Sequence, residues 1–173
     1  MTNYKSLLRN INTFIFDYDG VLSDGSLITL DEGEACRTTN VKDGYALQLA
    51  VKKGYRVAVI SGAKSNSMLN RLTALHIKDV FLGIDHKMEI FDKYLSDNGL
   101  KAEQVLFMGD DIPDYEIMLR AGIATCPADA AEEIRKVAIY ISHAMGGKGC
   151  VRDVIEQVLK IQGKWMNDDG YHW

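Results

Sequence analysis

Short apolar runs alternate with amphipathic segments along most of this 173-residue chain. The runs TFIF, RVAVIS, VLFM and IATC have the short length and the β-branched or aromatic content of buried strands. The segments between them, such as DGYALQLAVKKG and KMEIFDKYLSDNG, have the length and mixed polarity of surface helices. Strands and helices in alternation predict a three-layer α/β fold, in which a mostly parallel, Rossmann-like sheet lies between layers of helices.

One segment departs from this alternation. Residues 27–38, LITLDEGEACRT, contain two short β-like runs on either side of Asp31-Glu32-Gly33-Glu34. This pattern predicts a β-hairpin inserted between the first strand and its helix. Because no Ser-, Gly- or Pro-rich linker occurs, we expect one domain over residues 1–162, followed by a C-terminal tail, residues 163–173. Aromatic residues in this otherwise polar tail indicate that it docks onto another surface.

Composition and charge exclude several classes of protein. The 20 basic and 24 acidic residues give a formal net charge of -4, and they are spread along the chain without a run of Lys or Arg. The sequence therefore predicts neither a nucleic-acid partner nor a membrane partner. No segment has the apolar length of a membrane span or the pattern of a signal peptide, so we expect a cytoplasmic protein. Cys36, Cys126 and Cys150 lack a CxxC spacing and are predicted to be free thiols.

Carboxylates follow two of the predicted strands at the point where each strand ends. Asp17 and Asp19 come after TFIF, and Asp110 and Asp111 come after VLFM. The carboxyl ends of parallel strands share one edge of the sheet, where ligands bind, so these side chains are expected to meet. Several carboxylates at one point require a cation, and oxygen ligands without a His or Cys cluster favour magnesium. The sequence therefore predicts a magnesium site at this edge.

Two further polar residues extend the hypothesis to phosphoryl transfer. Ser61 ends the run RVAVIS, and Lys87 begins the helical segment KMEIFDKYL. A carboxylate beside a metal can attack phosphorus, and a second carboxylate can protonate the leaving oxygen and later activate water. A Ser hydroxyl and a Lys ammonium can stabilise the transferred phosphoryl group. Each residue alone is more often a cap or turn residue, and only their coincidence at successive strand ends favours function.

The segments DYDGVLSDG, VISGAKS, GIDHKMEI and GDDIPD resemble the four ordered motifs of the haloacid dehalogenase superfamily of phosphotransferases. Within it the chain is similar to the small phosphatases that act on 3-deoxy-D-manno-octulosonate 8-phosphate, a lipopolysaccharide precursor. The hairpin, TTNVKDGYALQLA and GGKGCVRDVIEQVL extend this likeness over nearly the whole chain. The intervals between the motifs leave no room for a cap domain.

The resemblance implies roles for the motif residues. Asp17 is expected to be the nucleophile and a metal ligand. Asp19 is expected to be the general acid/base, with its backbone carbonyl also binding magnesium. Lys87 would orient the phosphate and the nucleophile. Of the remaining motif residues, Ser61 would donate a hydrogen bond to the phosphoryl group, and Asp110 would be the third metal ligand. Asp111 and Asp114 would support the metal ligands without binding the metal directly, or would cap the next helix.

The resemblance also implies a substrate pocket and an assembly. The residues expected to contact substrate are Asn40, Val41, Lys42, Asp43, Gly44, Gly62 and Arg71. Family members are homotetramers in which neighbouring subunits close the active site, so the hairpin and the tail are the expected covering elements. The family commonly has Arg after the Ser/Thr-Gly of the second motif, whereas this chain has Ala63 followed by Lys64.

Three alternatives stay open from the sequence. The Ala63 departure allows a nine-carbon sugar acid 9-phosphate, or a broader range of sugar phosphates, as the substrate. A receiver-type signalling domain also has an acidic pocket, a Ser or Thr and a Lys, but there the Lys comes last in the chain. A non-catalytic oligomerisation module would be expected to lack the first Asp or the Lys, and here Asp17 and Lys87 are both present.

Overall fold

The computed structural model describes residues 4–31, 33, 35–166 and 168–171. Its strands are β1 (Thr13–Phe16), β2 (Ile28–Thr29), β3 (Ala35–Cys36), β4 (Arg56–Ser61), β5 (Asp79–Leu82), β6 (Val105–Met108), β7 (Ile123–Cys126) and β8 (Tyr140–Ile141). Six of these strands form one sheet in the order β5-β4-β1-β6-β7-β8. Every neighbouring pair in that sheet is parallel. The predicted parallel sheet is confirmed.

Helices connect the strands and cover both faces of the sheet. They are α1 (Tyr4–Leu7), α2 (Val41–Lys52), α3 (Asn66–Ala74), α4 (Lys87–Asn98), α5 (Tyr115–Arg120), α6 (Glu132–Val137) and α7 (Cys150–Ile161), with short 3-10 helices at Leu8–Asn10, Ala102–Gln104, Ile112–Asp114 and Asp168–Tyr171. Helices α2, α3 and α7 pack into one hydrophobic core, and α4, α5 and α6 pack into a second. The described helices are each too short or too polar to cross a membrane.

The central strands separate these two cores by the alternation of their side chains. In β1, Phe14 and Phe16 pack in the core with α2 and α7, whereas Ile15 packs with α4 and α5. Successive side chains of a strand point to opposite faces, so a strand covered on both sides is apolar throughout. All four residues of β1 are accordingly buried. The three-layer architecture is therefore the expected one.

The chain order places a ligand crevice at the middle of the sheet. After β1 the chain adds β4 and then β5 on one side, and α4 returns it to β6 on the other side of β1. In open parallel sheets, ligands bind at the carboxyl ends of the strands where the chain reverses direction in this way. The residues that follow β1 and β6 therefore border the crevice.

The predicted hairpin is confirmed, although its strands are short. Strands β2 and β3 pair antiparallel, with Ile28 opposite Cys36. Glu32 and Glu34 of the predicted turn lie outside the described residues. The hairpin exposes three apolar side chains, Leu27, Ile28 and Leu30. Among the described residues between β1 and β6, this hairpin is the only insertion, and there is no cap domain.

Part of the predicted tail packs on its own chain. The ring of Trp165 lies edge-on to the ring of Tyr45 in α2, with 6.4 Å between their centroids. The Tyr45 hydroxyl donates a hydrogen bond to the carbonyl oxygen of Gly170. Residues 167, 172 and 173 lie outside the described part of the chain. The division into a domain and a tail, and any role of the tail at a neighbouring site, stay predictions.

Candidate active site

The first carboxylate of the crevice is fixed by the sheet itself. The backbone N–H of Asp17 donates to the carbonyl oxygen of Met108 at 3.0 Å, which continues the β1–β6 pairing by one residue. The Asp17 side chain is buried at this edge. Asp110 follows β6 on the neighbouring strand, as the sequence predicts, and its side chain is half-buried. The strand ends thus bring Asp17 and Asp110 to one point.

Lys87 connects this point to the next helix. As the first residue of α4 it places its Nζ 2.9 Å from Asp17 Oδ1 and 2.8 Å from Asp114 Oδ1. The other oxygen of Asp114, Oδ2, accepts a hydrogen bond from the backbone N–H of Asp110 at 3.1 Å. Asp114 therefore supports both Lys87 and Asp110, and this dual contact is more specific than the supporting role predicted from the sequence.

The carboxylates form a set that fits a divalent cation. Oxygens of Asp17, Asp110 and Asp114 all lie within 4.8 Å of one another. Although Asp17 Oδ1 lies within ion-pair distance of Lys87, it is buried and accepts no well-directed hydrogen bond from the described residues. A hard cation with oxygen ligands, such as Mg²⁺, would satisfy this atom and offset the excess negative charge.

A glycine makes room for this cluster. Gly20 follows Asp19 and has φ +85°, a backbone conformation that residues other than glycine rarely adopt. A Cβ atom on Gly20 would lie 2.0 Å from Asp110 Oδ2. The Gly of the DYDG motif is therefore required both for the turn and for the approach of the Asp110 carboxylate.

The electrostatics of the cluster reflect its burial. Burial, aided by the neighbouring Asp114, raises the pKa of Asp17 to about 7, and Lys87 only partly offsets this. Burial together with Asp17, Asp114 and Asp111 raises the pKa of Asp110 to about 8. Burial alone would lower the pKa of Lys87, but Asp17 and Asp114 outweigh that effect and raise it. Because one Lys cannot balance all of these carboxylates when they are ionised, the metal-free site releases its protons at a higher pH than exposed carboxyls do.

Asp19 has a different environment at the rim of the crevice. The Arg37 guanidinium donates two hydrogen bonds to the Asp19 carboxylate, from Nε to Oδ1 at 2.6 Å and from Nη2 to Oδ2 at 2.9 Å. Ser23 Oγ donates a further hydrogen bond to Oδ1 at 3.1 Å. Sequence reasoning missed Arg37. The available signal was a cation near the end of the predicted hairpin, but no spacing rule connects that position to Asp19.

The carboxylates and Lys87 line an open cleft of about 470 Å³, a volume suited to a small molecule. Ser61 is buried at the end of β4, and its Oγ accepts a hydrogen bond from the N–H of Ala63 at 3.2 Å, which leaves its own proton available to a ligand. Asp111 is exposed and caps the Ile112–Asp114 helix by accepting from the N–H of Ile112. The cleft lining is Asp17, Asp19, Gly20, Gly25, Ser61, Gly62, Ala63, Ile84, Asp85, Lys87, Asp110, Asp111, Pro113 and Asp114.

Most of the predicted substrate contacts lie outside this lining. Gly62 lines the cleft, whereas Asn40, Asp43, Gly44 and Arg71 border a separate pocket of about 10 Å³, room for about one water molecule. A Cβ atom on Gly44 would lie 2.4 Å from Arg71 Nη2, so this glycine lets the guanidinium lie against α2. The role of these residues in substrate binding stays a prediction.

Two of the predicted substrate-contact residues, Asn40 and Asp43, have clear structural contacts. Asn40 caps α2, since its side chain accepts from the N–H of Lys42 at 2.8 Å. Asp43 is buried and caps α7 from outside that helix, accepting from the N–H groups of Gly149 at 3.1 Å and Arg152 at 2.7 Å. Val41 and Lys42 are exposed in the first turn of α2. The segment therefore joins α2 to the start of α7.

Comparison with known proteins decides the family. The chain is 34% identical over 163 residues to the 3-deoxy-D-manno-octulosonate 8-phosphate phosphatase KdsC of Salmonella typhi, which covers 94% of this chain and 87% of the relative. It is 35% identical over 156 residues to KdsC of Escherichia coli (strain K12), covering 90% and 83% respectively. The chain belongs to the KdsC family of haloacid dehalogenase phosphatases. No protein-family model matches it.

Solved structures of KdsC phosphatases share the fold. The enzyme of Moraxella catarrhalis, in complex with a magnesium ion, a phosphate ion and a KDO molecule, has a TM-score of 0.89 at 32% identity, covering 92% of this chain and 91% of that one. The cobalt-bound enzyme of Haemophilus influenzae has a TM-score of 0.90 at 32% identity, covering 95% and 98%. Both resemblances stated from the sequence, to the superfamily and to its cap-less phosphatases, are confirmed.

Proposed function

We propose that this protein is a magnesium-dependent phosphatase that hydrolyses 3-deoxy-D-manno-octulosonate 8-phosphate to the free sugar acid and inorganic phosphate. The observation that carries the proposal is the convergence of Asp17, Asp110 and Asp114 around Lys87 at the carboxyl edge of the sheet. The KdsC relatives are named for this substrate, and one of them contains magnesium, phosphate and KDO.

The residues suggest a covalent route in two steps. Asp17 attacks phosphorus to form an aspartyl phosphate, while the C8 oxygen of the sugar leaves with a proton from Asp19. Asp19 then takes a proton from water, the water oxygen attacks the aspartyl phosphate, and phosphate is released with the Asp17 carboxylate restored. Lys87 and the Ser61 hydroxyl stabilise the negative charge on the transferred group.

Magnesium would be held by Asp17, Asp110 and the backbone carbonyl of Asp19. It would supply positive charge opposite the phosphoryl oxygens, which repulsion from the carboxylates would otherwise exclude. Both oxygens of Asp114 already accept hydrogen bonds, from Lys87 and from the backbone of Asp110. We therefore assign Asp114, together with the exposed Asp111, to the support of the site and not to direct ligation.

The position of Ala63 bears on the choice of sugar acid. Ala63 lines the cleft beside Ser61 and brings no positive charge to it, whereas the resemblance would place an Arg there. A nine-carbon sugar acid 9-phosphate is therefore the closest alternative substrate. The phosphoryl-transfer residues cannot separate the two, since they act on the phosphate alone.

We propose further that the enzyme acts in the cytoplasm, in lipopolysaccharide precursor synthesis, as a homotetramer. The exposed apolar side chains Leu27, Ile28 and Leu30 support assembly through the hairpin. The cleft has no cap domain over it in the described part of the chain, so a neighbouring subunit is the expected cover. Contact of Asn40 to Gly44, Gly62 and Arg71 with the sugar acid belongs to the same proposal.

Phosphate release tests the proposal directly. The purified protein is assayed with the eight-carbon 8-phosphate, a nine-carbon 9-phosphate and glucose 6-phosphate, in magnesium, in EDTA, and after magnesium is restored. We expect the highest kcat/KM for the eight-carbon substrate, complete loss in EDTA, and no turnover by D17N. A preference for the nine-carbon substrate would select that alternative, and full activity of D17N would exclude the covalent route.

A further inference from the structure

The Arg37 side chain is buried against the general acid/base. Only 8% of it is exposed, although apolar side chains of the same hairpin face solvent. Three of its nitrogens are engaged: Nε and Nη2 on Asp19, and Nη1 on the carbonyl oxygen of Ala35 at 3.1 Å. The last contact ties the guanidinium fork to β3. The Asp19 carboxylate is thus held in one plane by a residue of the hairpin.

The hydrogen bonds on Asp19 also select one of its oxygens. A carboxylate offers about four lone-pair positions, two on each oxygen. Oδ1 accepts from Arg37 Nε and from Ser23 Oγ, so both of its positions are occupied. Oδ2 accepts from Arg37 Nη2, which leaves one position on this oxygen for a proton. Arg37 itself keeps its charge at all working pH values and cannot exchange the proton.

We propose that Arg37 is a positioning residue, which fixes the Asp19 carboxylate so that Oδ2 exchanges the proton with the leaving oxygen and the attacking water. The inference rests on the proposed function, because it needs Asp19 to be the general acid/base. It assigns a catalytic purpose to the hairpin beyond assembly. A bidentate Arg fork holds a carboxylate in a defined plane, which a Lys ammonium cannot do.

The leaving group provides a readout that a merely structural role would not move. A sugar C8 oxygen needs a proton as it leaves, whereas p-nitrophenolate leaves as a stable anion. The value of kcat/KM includes only the steps up to the first irreversible one, here formation of the aspartyl phosphate. If Arg37 acts through Asp19, its loss must therefore lower kcat/KM for the sugar phosphate and spare that for p-nitrophenyl phosphate.

The experiment compares Arg37→Met, Arg37→Lys and the matched control Arg120→Met on both substrates. Arg120 is half-exposed in α5, lies 3.9 Å from Asp92, and is not among the residues that line the cleft. We expect R37M to lower kcat/KM for the sugar phosphate about 10- to 100-fold, part of what general acid catalysis contributes, and to leave that for p-nitrophenyl phosphate within about threefold. R37K is expected to lower kcat/KM for the sugar phosphate several-fold, again without a matching loss on p-nitrophenyl phosphate. R120M is expected to change neither value.

Equal losses on the two substrates, or no loss on either, would overturn the role of Arg37 while the proposed function stood. Should R37M fail to fold, by circular dichroism and thermal unfolding, R37K decides by the same selectivity. A wild-type protein inactive on both substrates would overturn the proposed function and with it this inference. Selective loss on the sugar phosphate supports the inference.

Discussion

Lys87 donates a hydrogen bond from Nζ to Asp114 Oδ1 at 2.8 Å, and both side chains are almost fully buried, with 6% and 1% of their area exposed. The same Nζ lies 2.9 Å from Asp17. One cation therefore links the expected nucleophile to a carboxylate on another element. Asp114 in turn accepts from the backbone of Asp110. The orientation of the nucleophile and the position of a metal ligand are thus set by one residue outside the expected reaction path.

Asp114→Asn is expected to lower kcat by about 10- to 100-fold with a smaller change in KM. An Asn amide has only one acceptor oxygen, so it cannot accept from both Lys87 and the Asp110 backbone, and the Lys87 ammonium loses one of its two counter-charges. Steady-state phosphate release measures the effect. D97N is the matched control, since Asp97 is exposed and pairs with Lys93 in the same helix. Unchanged turnover of D114N would contradict the positioning role.

The metal-free protein is expected to become less stable as the pH rises from about 4 to about 8. Burial raises the folded-state pKa of Asp17 to about 7 and of Asp110 to about 8, whereas in the unfolded chain both carboxyls release their protons near pH 4. In this window the folded state binds more protons than the unfolded state, so the free energy of unfolding falls with pH. Thermal unfolding in EDTA across this range measures the trend.

Two comparisons assign that trend to the cluster. Magnesium binds the ionised carboxylates, so the rise in Tm that it produces is expected to be larger at pH 8 than at pH 5.5. D110N removes one of the carboxyls whose pKa is raised, and its Tm in EDTA should depend less on pH. A metal-free stability that increased over this range would show that the carboxylates are ionised without cost.

Asp43→Ala is expected to destabilise the fold by about 1 to 3 kcal/mol. The substitution removes the side-chain acceptor of two backbone N–H groups at the start of α7, those of Gly149 and Arg152. Urea unfolding measures the loss, and D43N, which retains one acceptor oxygen, should lose less. A stable D43A with a raised KM would instead favour the substrate contact predicted from the resemblance.

The sequence was sufficient to predict a site residue wherever that residue is marked by its immediate neighbours in the chain. The ends of the apolar runs located Asp17, Ser61 and Asp110, and the rule that parallel strands share one carboxyl edge brought them together. It was insufficient where a contact depends on the path of the chain between elements. The Arg37 contact with Asp19 requires the hairpin to fold back toward Asp19, and the Asp43 cap joins residues 106 positions apart. Neither contact can be predicted from hydrophobic periodicity or from the spacing of motifs.

The hairpin is expected to hold the oligomer together. Leu27 and Ile28 are 53% and 58% exposed, and apolar side chains adjacent on a short hairpin are typical of an interface. A double substitution, Leu27→Glu with Ile28→Glu, is expected to shift the sedimentation coefficient from a tetramer toward smaller species, because the charges would have to be buried on assembly. Leu119→Glu is the control, since Leu119 is similarly exposed, at 63%, but belongs to a different element, α5. An unchanged coefficient would remove the hairpin from the interface.

The tail is expected to serve both stability and substrate binding, and two deletions separate these roles. Trp165 packs against Tyr45, and the Arg152 guanidinium lies 5.4 Å from the centroid of the Trp165 ring. Deleting residues 165–173 removes these contacts and should lower the free energy of unfolding by about 1 to 2 kcal/mol. Deleting residues 167–173 retains Trp165 but removes the hydrogen bond from Tyr45 to Gly170, so it should lower the free energy of unfolding less than the longer deletion does. If the tail covers a neighbouring site, both deletions raise KM or lower kcat without unfolding the protein. Wild-type kinetics for the shorter deletion would show that residues 167–173 contribute neither to substrate binding nor to turnover.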